Sequence, residues 1–320
     1  MTRHAILLDV DTGTDDALAI LYAVGHPDLD VLGVSCVAGN THLDQVVINT
    51  CKTLDAAGAG PTPVAAGASK PLLERSRDAG HVHGADGLGG LTLPASTRAT
   101  STESAVQMLR AQVLAAEVPV TLVALAPQTN VALLLSQHPE VAELLERIVF
   151  MGGSAHVGNA TAVAEFNVWH DPEAAAIVVN SGVPTTMYGL DVFTRLTVAE
   201  AVAEELARRP HPAQRMVGEL LQRRRPRTDQ TAEDYSGLIG DAGALVLMTR
   251  PELFTTRQLP VQVNLSGIGR GQTIVDQRTV AGEDHAHDLL QPWPLIEVAL
   301  DLDAAQAAQA FLEMINAYAA

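Results

Sequence analysis

An open, mainly parallel, doubly wound α/β sheet flanked by helices is the fold class this sequence predicts, and three observations carry the prediction. Short apolar runs of strand character alternate with stretches of helical period along most of the chain. Several of these runs finish in polar or glycine-containing loops, as at Asp9 to Asp16, Gly39-Asn40, Pro127 to Asn130 and Gly152-Gly153. The 320 residues are 47% hydrophobic with a mean hydropathy of +0.15, ample for the core that such a sheet needs.

The elements follow in order. Residues 5–9 read as a strand and 15–25 as a helix, closed by Gly25-His26-Pro27. Val31–Val37 is a second strand, and 42–57 a helix stopped by Gly58 and Gly60. A short strand at 63–66 precedes residues 67–101, which are rich in Gly, Pro and Ser with no clear period. A segment of that length without regular structure is more often functional than idle. Then come a helix at 103–116, a strand at 120–126, a helix at 128–137 and a strand at 147–151. Asp171 and Pro172 open a helix that runs to Asn180, because Asp is a favoured N-cap and Pro a favoured first residue. A strand at 185–190 follows, and the chain is helix-rich to 249. Strand patterns at 258–265, 272–276 and 295–302 lead to a terminal helix at 304–318. Repeated alternation implies βαβ units, a Rossmann-like sheet, and a site at the carboxyl edge of the strands. No repeat or linker divides the chain, so a single domain over 1–320 is expected.

The net charge of −17 repels nucleic acid and anionic membranes, leaving a small neutral molecule or a cation as the easier partner. No apolar run approaches the roughly 20 residues of a membrane helix, and the first residues are too short for a signal peptide. A soluble cytoplasmic protein is the expectation. Cys36 and Cys51 lie in buried-type patterns and read as free thiols.

Four aspartates, Asp9, Asp11, Asp15 and Asp16, fall within eight residues where the first strand gives way to the first helix. Like charges so close raise one another's pKa unless a cation is present. No Lys or Arg lies between Arg3 and Lys52. A divalent metal bound through hard oxygen ligands is the simplest reading. A second polar group, Asn159, Glu165 and Asn167, precedes the helix opened by Asp171; amides and carboxylates there suit the hydroxyls of a sugar. Taken alone, Asp241 reads as an N-cap.

The string LLDVDTGTDDALAI (7–20) resembles the DxDPGxDDxxA signature of the inosine–uridine preferring nucleoside hydrolases, with Thr12 where Pro is usual. VAGN (37–40), AGHVHGADGLGG (79–90), LAPQTNVALL (125–134), VFMGGSAHVGNATAVAEFNVWHDPEAA (149–175) and GDAGA (240–244) extend the resemblance, in the family's order, over nearly the whole chain. It implies hydrolysis of the N-glycosidic bond of ribonucleosides. It further implies that Asp11, Asp16, Asp241 and the backbone carbonyl of Thr129 ligate Ca²⁺, and that Asp11 acts as base on the calcium-bound water. Asp15 and Asn167 would hold the ribose 2′- and 3′-hydroxyls, with Asp241 also at the ribose. Asn159 and Glu165 would meet the 5′-hydroxyl, and Asn40 and Met151 would line the ribose pocket. Asp9 would support these ligands from behind. A homodimer or homotetramer is implied as well.

The sequence departs from the pattern at Gly240, where many family members carry a histidine that protonates the leaving base. His81, His83 and Tyr235 are then the candidate acids, and the base specificity is expected to differ from that of purine-preferring relatives. Two alternatives stay open. One is a retuned or non-catalytic member that binds a ribosyl compound. The other is a phosphatase, since Asp9-Val10-Asp11 also resembles the nucleophile motif of haloacid dehalogenase-like enzymes. Gly13 stands where that motif has Thr or Val. The basic run Arg223 to Arg227 reads as a solvated helix end, or as part of a lid over the base. Trp169 and Trp293 read as packing anchors, and a zinc site at His285 and His287 is not expected.

Overall fold

The computed structural model describes residues 3–223, 237–288 and 292–318. They build a nine-stranded sheet in the order β3-β2-β1-β4-β5-β6-β9-β7-β8. The strands are β1 (His4–Val10), β2 (Leu29–Cys36), β3 (Val64–Ala66), β4 (Val120–Ala124), β5 (Leu145–Met151), β6 (Thr185–Tyr188), β7 (Phe254–Val263), β8 (Thr273–Val275) and β9 (Leu295–Leu302). β1 to β6 are parallel, β9 joins them parallel to β6, and β7 and β8 complete the edge antiparallel. The chain winds from β1 outward through β2 to β3, then returns to β4 and winds the other way. The topological switch point therefore lies between β1 and β4, where doubly wound sheets open a crevice at their carboxyl edge.

The helices are α1 (Thr14–Gly25), α2 (Leu43–Ala56), α3 (Gly80–His83), α4 (Ala105–Ala115), α5 (Thr129–Gln137), α6 (Phe166–His170), α7 (Pro172–Val179), α8 (Leu190–Phe193), α9 (Glu200–Ala207), α10 (Pro212–Leu221), α11 (Ala242–Thr249), α12 (Glu283–Ala286) and α13 (Ala304–Asn316). Strand alternation sorts the apolar side chains onto two faces. Ile6, Leu8 and Val10 of β1 join the core under α1, α11 and α13, and Leu7 joins the opposite core with Leu122, Ile148 and Phe150 under α4, α5 and α7. A sheet covered on both faces leaves β1, β4 and β6 buried along nearly their whole length.

Two expectations need adjustment, and one short helix was not expected. The strand expected at 185–190 stops at Tyr188, and Leu190 begins the short helix α8 after Gly189. β7 starts at Phe254, four residues early, because it pairs with β9 along nearly its whole length. The Asn159–Asn167 stretch is not all loop: Glu165 caps a short helix, α6, by accepting from the Asn167 and Val168 amides. Asp171 caps α7 as expected, accepting from Ala174 with Pro172 as first residue. Cys36 and Cys51 are buried free thiols. Among the described residues no helix is long and apolar enough to cross a membrane.

Candidate active site

The aspartate loop leaves β1 and turns directly into α1. Asp16, the third residue of α1, folds back over the turn: its Oδ2 accepts from Gly13 N at 2.9 Å and its Oδ1 from Asp11 N at 3.1 Å. A carboxylate there satisfies amides that a helix N-terminus otherwise leaves unpaired. Asn40, from the loop after β2, donates through its backbone to Asp11 Oδ2 at 2.6 Å. Its side-chain amide spans Asp11 Oδ1 at 3.1 Å and Asp16 Oδ2 at 3.0 Å. Beneath this layer Asp9 lies in register with Ser35 of β2, which donates to its Oδ1 at 2.6 Å, and Asn130 of α5 donates to the same oxygen at 2.8 Å. Asp9 thus ties β1, β2 and α5 together behind the cluster.

Asp241 arrives from the start of α11. It occupies the N-cap position read from the sequence, but its side chain makes no capping bond. One carboxylate oxygen from each of Asp15, Asp16 and Asp241 lies within 4.8 Å of the others. Asp11, Asp16 and Asp241 are buried, and Oδ1 of Asp15 has no hydrogen-bond partner. Burial, followed by the charges of Asp15, Asp16, Asp11 and Glu165, pushes the Asp241 carboxyl well above the carboxylate range. Burial and then the Asp16 charge do the same to Asp11. Asp16 rises to about 7, through burial and then the charge of Asp15. Among the described residues His83 comes up to the cluster, with its Nδ1 3.7 Å from Asp15 Oδ1. An all-oxygen, strongly anionic, buried donor set with an orphaned carboxylate oxygen fits a hard divalent cation.

On the far side of the switch point stand Thr129, Met151, Glu165 and Asn167. Thr129 opens α5, and its hydroxyl donates to Asp171 Oδ2 at 2.6 Å. Asn167 donates to the carbonyls of Leu125 at 3.0 Å and Met151 at 3.2 Å, which draws the ends of β4 and β5 together. Glu165 is buried and accepts from Gly153, Asn167 and Val168; burial outweighs these three bonds and lifts its carboxyl to about 7. Asn159 stands apart, exposed, with its Oδ1 accepting from Phe166 N at 2.9 Å.

The candidate acids separate clearly. His83 is buried, with Nδ1 3.1 Å from Thr14 Oγ1 and accepting from Thr14 N at 3.3 Å, which leaves Nε2 to carry the hydrogen of the neutral ring. His81 is exposed. Tyr235 lies outside the described residues, as do Arg224 to Arg227. Arg223, the first of that run, reaches back to donate to the carbonyl of Gly89. Gly240 adopts φ +63°, and a Cβ there would sit 2.5 Å from Asp15 Cβ. The turn is built for glycine, and a histidine could not replace it without displacing Asp15.

Residues 6–309 match the profile of the family described as inosine-uridine preferring nucleoside hydrolase. The chain belongs to that family. It is similar to the pyrimidine-specific ribonucleoside hydrolase of Shewanella baltica, at 40% identity over 293 residues, covering 88% of this chain and 89% of the relative. The enzyme of the same name from Citrobacter koseri is 39% identical over 279 residues, covering 87% and 89%. Among solved structures, the purine-preferring ribonucleoside hydrolase of Gardnerella vaginalis superposes with a TM-score of 0.84 at 28% identity, covering 97% of this chain and 98% of that one. This nucleoside hydrolase is therefore a glycosyl-bond hydrolase of the α/β class, and the phosphatase alternative is set aside.

Sequence reasoning missed several residues that organise the site of this nucleoside hydrolase. Ser35 and Asn130 were not connected to Asp9, nor Asp171 to Thr129. Asn49 of α2, which bonds to the aspartate loop, went unnoticed. Only Asp171 carried a local signal, as a helix cap.

Proposed function

We propose that this nucleoside hydrolase cleaves pyrimidine ribonucleosides to ribose and free base, with Ca²⁺ held by Asp11, Asp16, Asp241 and the Thr129 carbonyl. The observation that carries this reading is the buried carboxylate cluster at the switch point, facing His83 with no cationic side chain beside it among the described residues. The bound metal would lower the pKa of a coordinated water and neutralise the carboxylates. Asp11, whose Oδ2 is fixed by the Asn40 amide, takes the proton of the attacking water. Asp15 and Asn167 hold the ribose diol, Asn40 and Met151 line the sugar pocket, and Glu165 meets the 5′ end, with Asn159 on the outer rim. As the N-glycosidic bond breaks, positive charge grows on the ribose, and the carboxylates stabilise it where it forms. His83 donates through Nε2 to the departing base, the role that Gly240 cannot fill.

The pyrimidine preference is supported by the 40% identical relatives, which are named pyrimidine-specific. A homodimeric or homotetrameric assembly, implied by the resemblance, and the cytoplasmic location expected from the sequence complete the reading. Its test is ribose release from inosine, adenosine, guanosine, uridine and cytidine, before and after exhaustive chelation. Uridine and cytidine should be cleaved fastest, and cleavage should stop without metal and return with Ca²⁺. Equal rates on inosine and uridine would sink the pyrimidine assignment, and full activity after chelation would sink the metal. No release from any of the five would favour the retuned, ribosyl-binding alternative.

A further inference from the structure

Asn49 is buried on α2, away from the carboxylate cluster, yet both hydrogens of its side-chain amide are committed to the site. One goes to the carbonyl of Thr12 at 3.0 Å, inside the aspartate loop. The other goes to the carbonyl of Asp86 at 2.8 Å, in the segment that carries His83. Gln45, one helical turn earlier, donates to Asn49 Oδ1 at 2.8 Å and so fixes which edge of the amide presents its hydrogens. The junction is close-fitting: Gly87 has φ +76°, and a Cβ there would lie 3.0 Å from Asn49 Nδ2 and 3.4 Å from the Thr12 carbonyl oxygen. His83 touches the same loop from the other direction, through Thr14. One short planar group therefore spans two segments that no secondary structure joins.

We propose that Asn49 is a positioning residue, a spacer that sets the distance between the leaving-group segment 80–90 and the aspartate loop. This inference rests on the function proposed above for the same site. Its physical basis is that a departing base must meet its donor while water attacks the sugar, and these two groups sit on different segments. A misplacement of about 1 Å between reacting partners costs on the order of 100-fold in rate. Two carbonyls, that of Thr12 buried and that of Asp86 part-buried, share one amide and resist such a slip, because parting them leaves an acceptor shielded from water unpaired.

The test compares calcium-loaded wild type, Asn49→Leu and Gln45→Ala on uridine and on p-nitrophenyl β-D-riboside, whose phenolate leaves without a proton. Amide hydrogen exchange over residues 80–90 is followed in parallel. Asn49→Leu should lower kcat on uridine roughly 10- to 100-fold, with KM little changed and riboside turnover within about threefold. In a His83→Ala background it should add no further loss on uridine. Exchange at 80–90 should accelerate while that of α1 stays as in wild type. Gln45→Ala leaves both carbonyl bonds possible and should move each readout the same way, by less, which guards against a variant that simply fails to fold. Equal losses on the two substrates, or unchanged exchange at 80–90, would overturn the proposal. Should the wild type release ribose from no nucleoside, the function reading falls by itself. The exchange result then decides the spacer alone, acceleration supporting it and no change rejecting it.

Discussion

The aspartate loop and the segment 67–101 meet where His83 touches Thr14, but they are held in different ways. In the loop most ties of the carboxylates run within a few positions or to the neighbouring strand β2 and the loop that follows it: Asp11 and Gly13 to Asp16, Asp9 to Ser35, Asp11 to Asn40. Segment 67–101 is fastened at intervals by residues from distant parts of the chain. Asn130 holds Ala68, Asp171 holds Leu72, His170 accepts from Arg77, and Asn49 holds Asp86. Arg77 adds its guanidinium 4.7 Å above the Trp169 ring, and Arg223 reaches Gly89. The half proposed to hold metal and sugar is thus nearly part of the sheet, and the half proposed to meet the base hangs from it. Such a division lets base preference change without disturbing the shared chemistry.

The strongest way to break this comparison is on the rigid side. Asp11→Asn should cut kcat by about 10²- to 10⁴-fold, while calorimetric binding of ribose persists. A loss below tenfold would place the base elsewhere.

Metal removal should expose the strain built into the same side. Without metal, burial above all holds Asp9, Asp16 and Glu165 at about 7. In the unfolded chain such groups titrate near 4. Between pH ~4 and ~7 the unfolded chain has then released protons that the folded one keeps, so stability falls as pH rises through that window. The melting temperature of chelated protein should therefore decline from pH 5 to pH 7.5, and the gain on adding Ca²⁺ should grow over the same range. A gain independent of pH would show that these carboxyls do not carry the effect.

Where the two sides meet, Gly240→His is the sharper probe. The added side chain collides with Asp15 on a backbone of positive φ. It should destabilise the protein by about 1–3 kcal/mol in urea melts and raise KM, rather than supply the missing acid. Faster purine release would contradict the geometry. The smallest effect is expected at Asp171, whose Oδ2 accepts from both Thr129 and Leu72 and whose Oδ1 caps α7. Asp171→Ala should cost about 1–2 kcal/mol and speed amide exchange around residue 72 while sparing the aspartate loop.

By itself the sequence determined what depends on neighbours along the chain. Strand and helix alternation followed from periodicity, and α7 was legible from Asp171-Pro172. The aspartate cluster was visible because its members lie within eight residues and one turn brings them together. The family resemblance extended this to residues whose physics is not local. Tertiary structure alone decided the rest. It brought Asp241 at the start of α11 beside Asp15 and Asp16, left Asn159 exposed, buried His83 and left His81 exposed. It also made Asn49 and Asp171 the fasteners between segments. Those outcomes depend on strand order and on where crossover helices deliver distant loops, and no spacing within the chain encodes them.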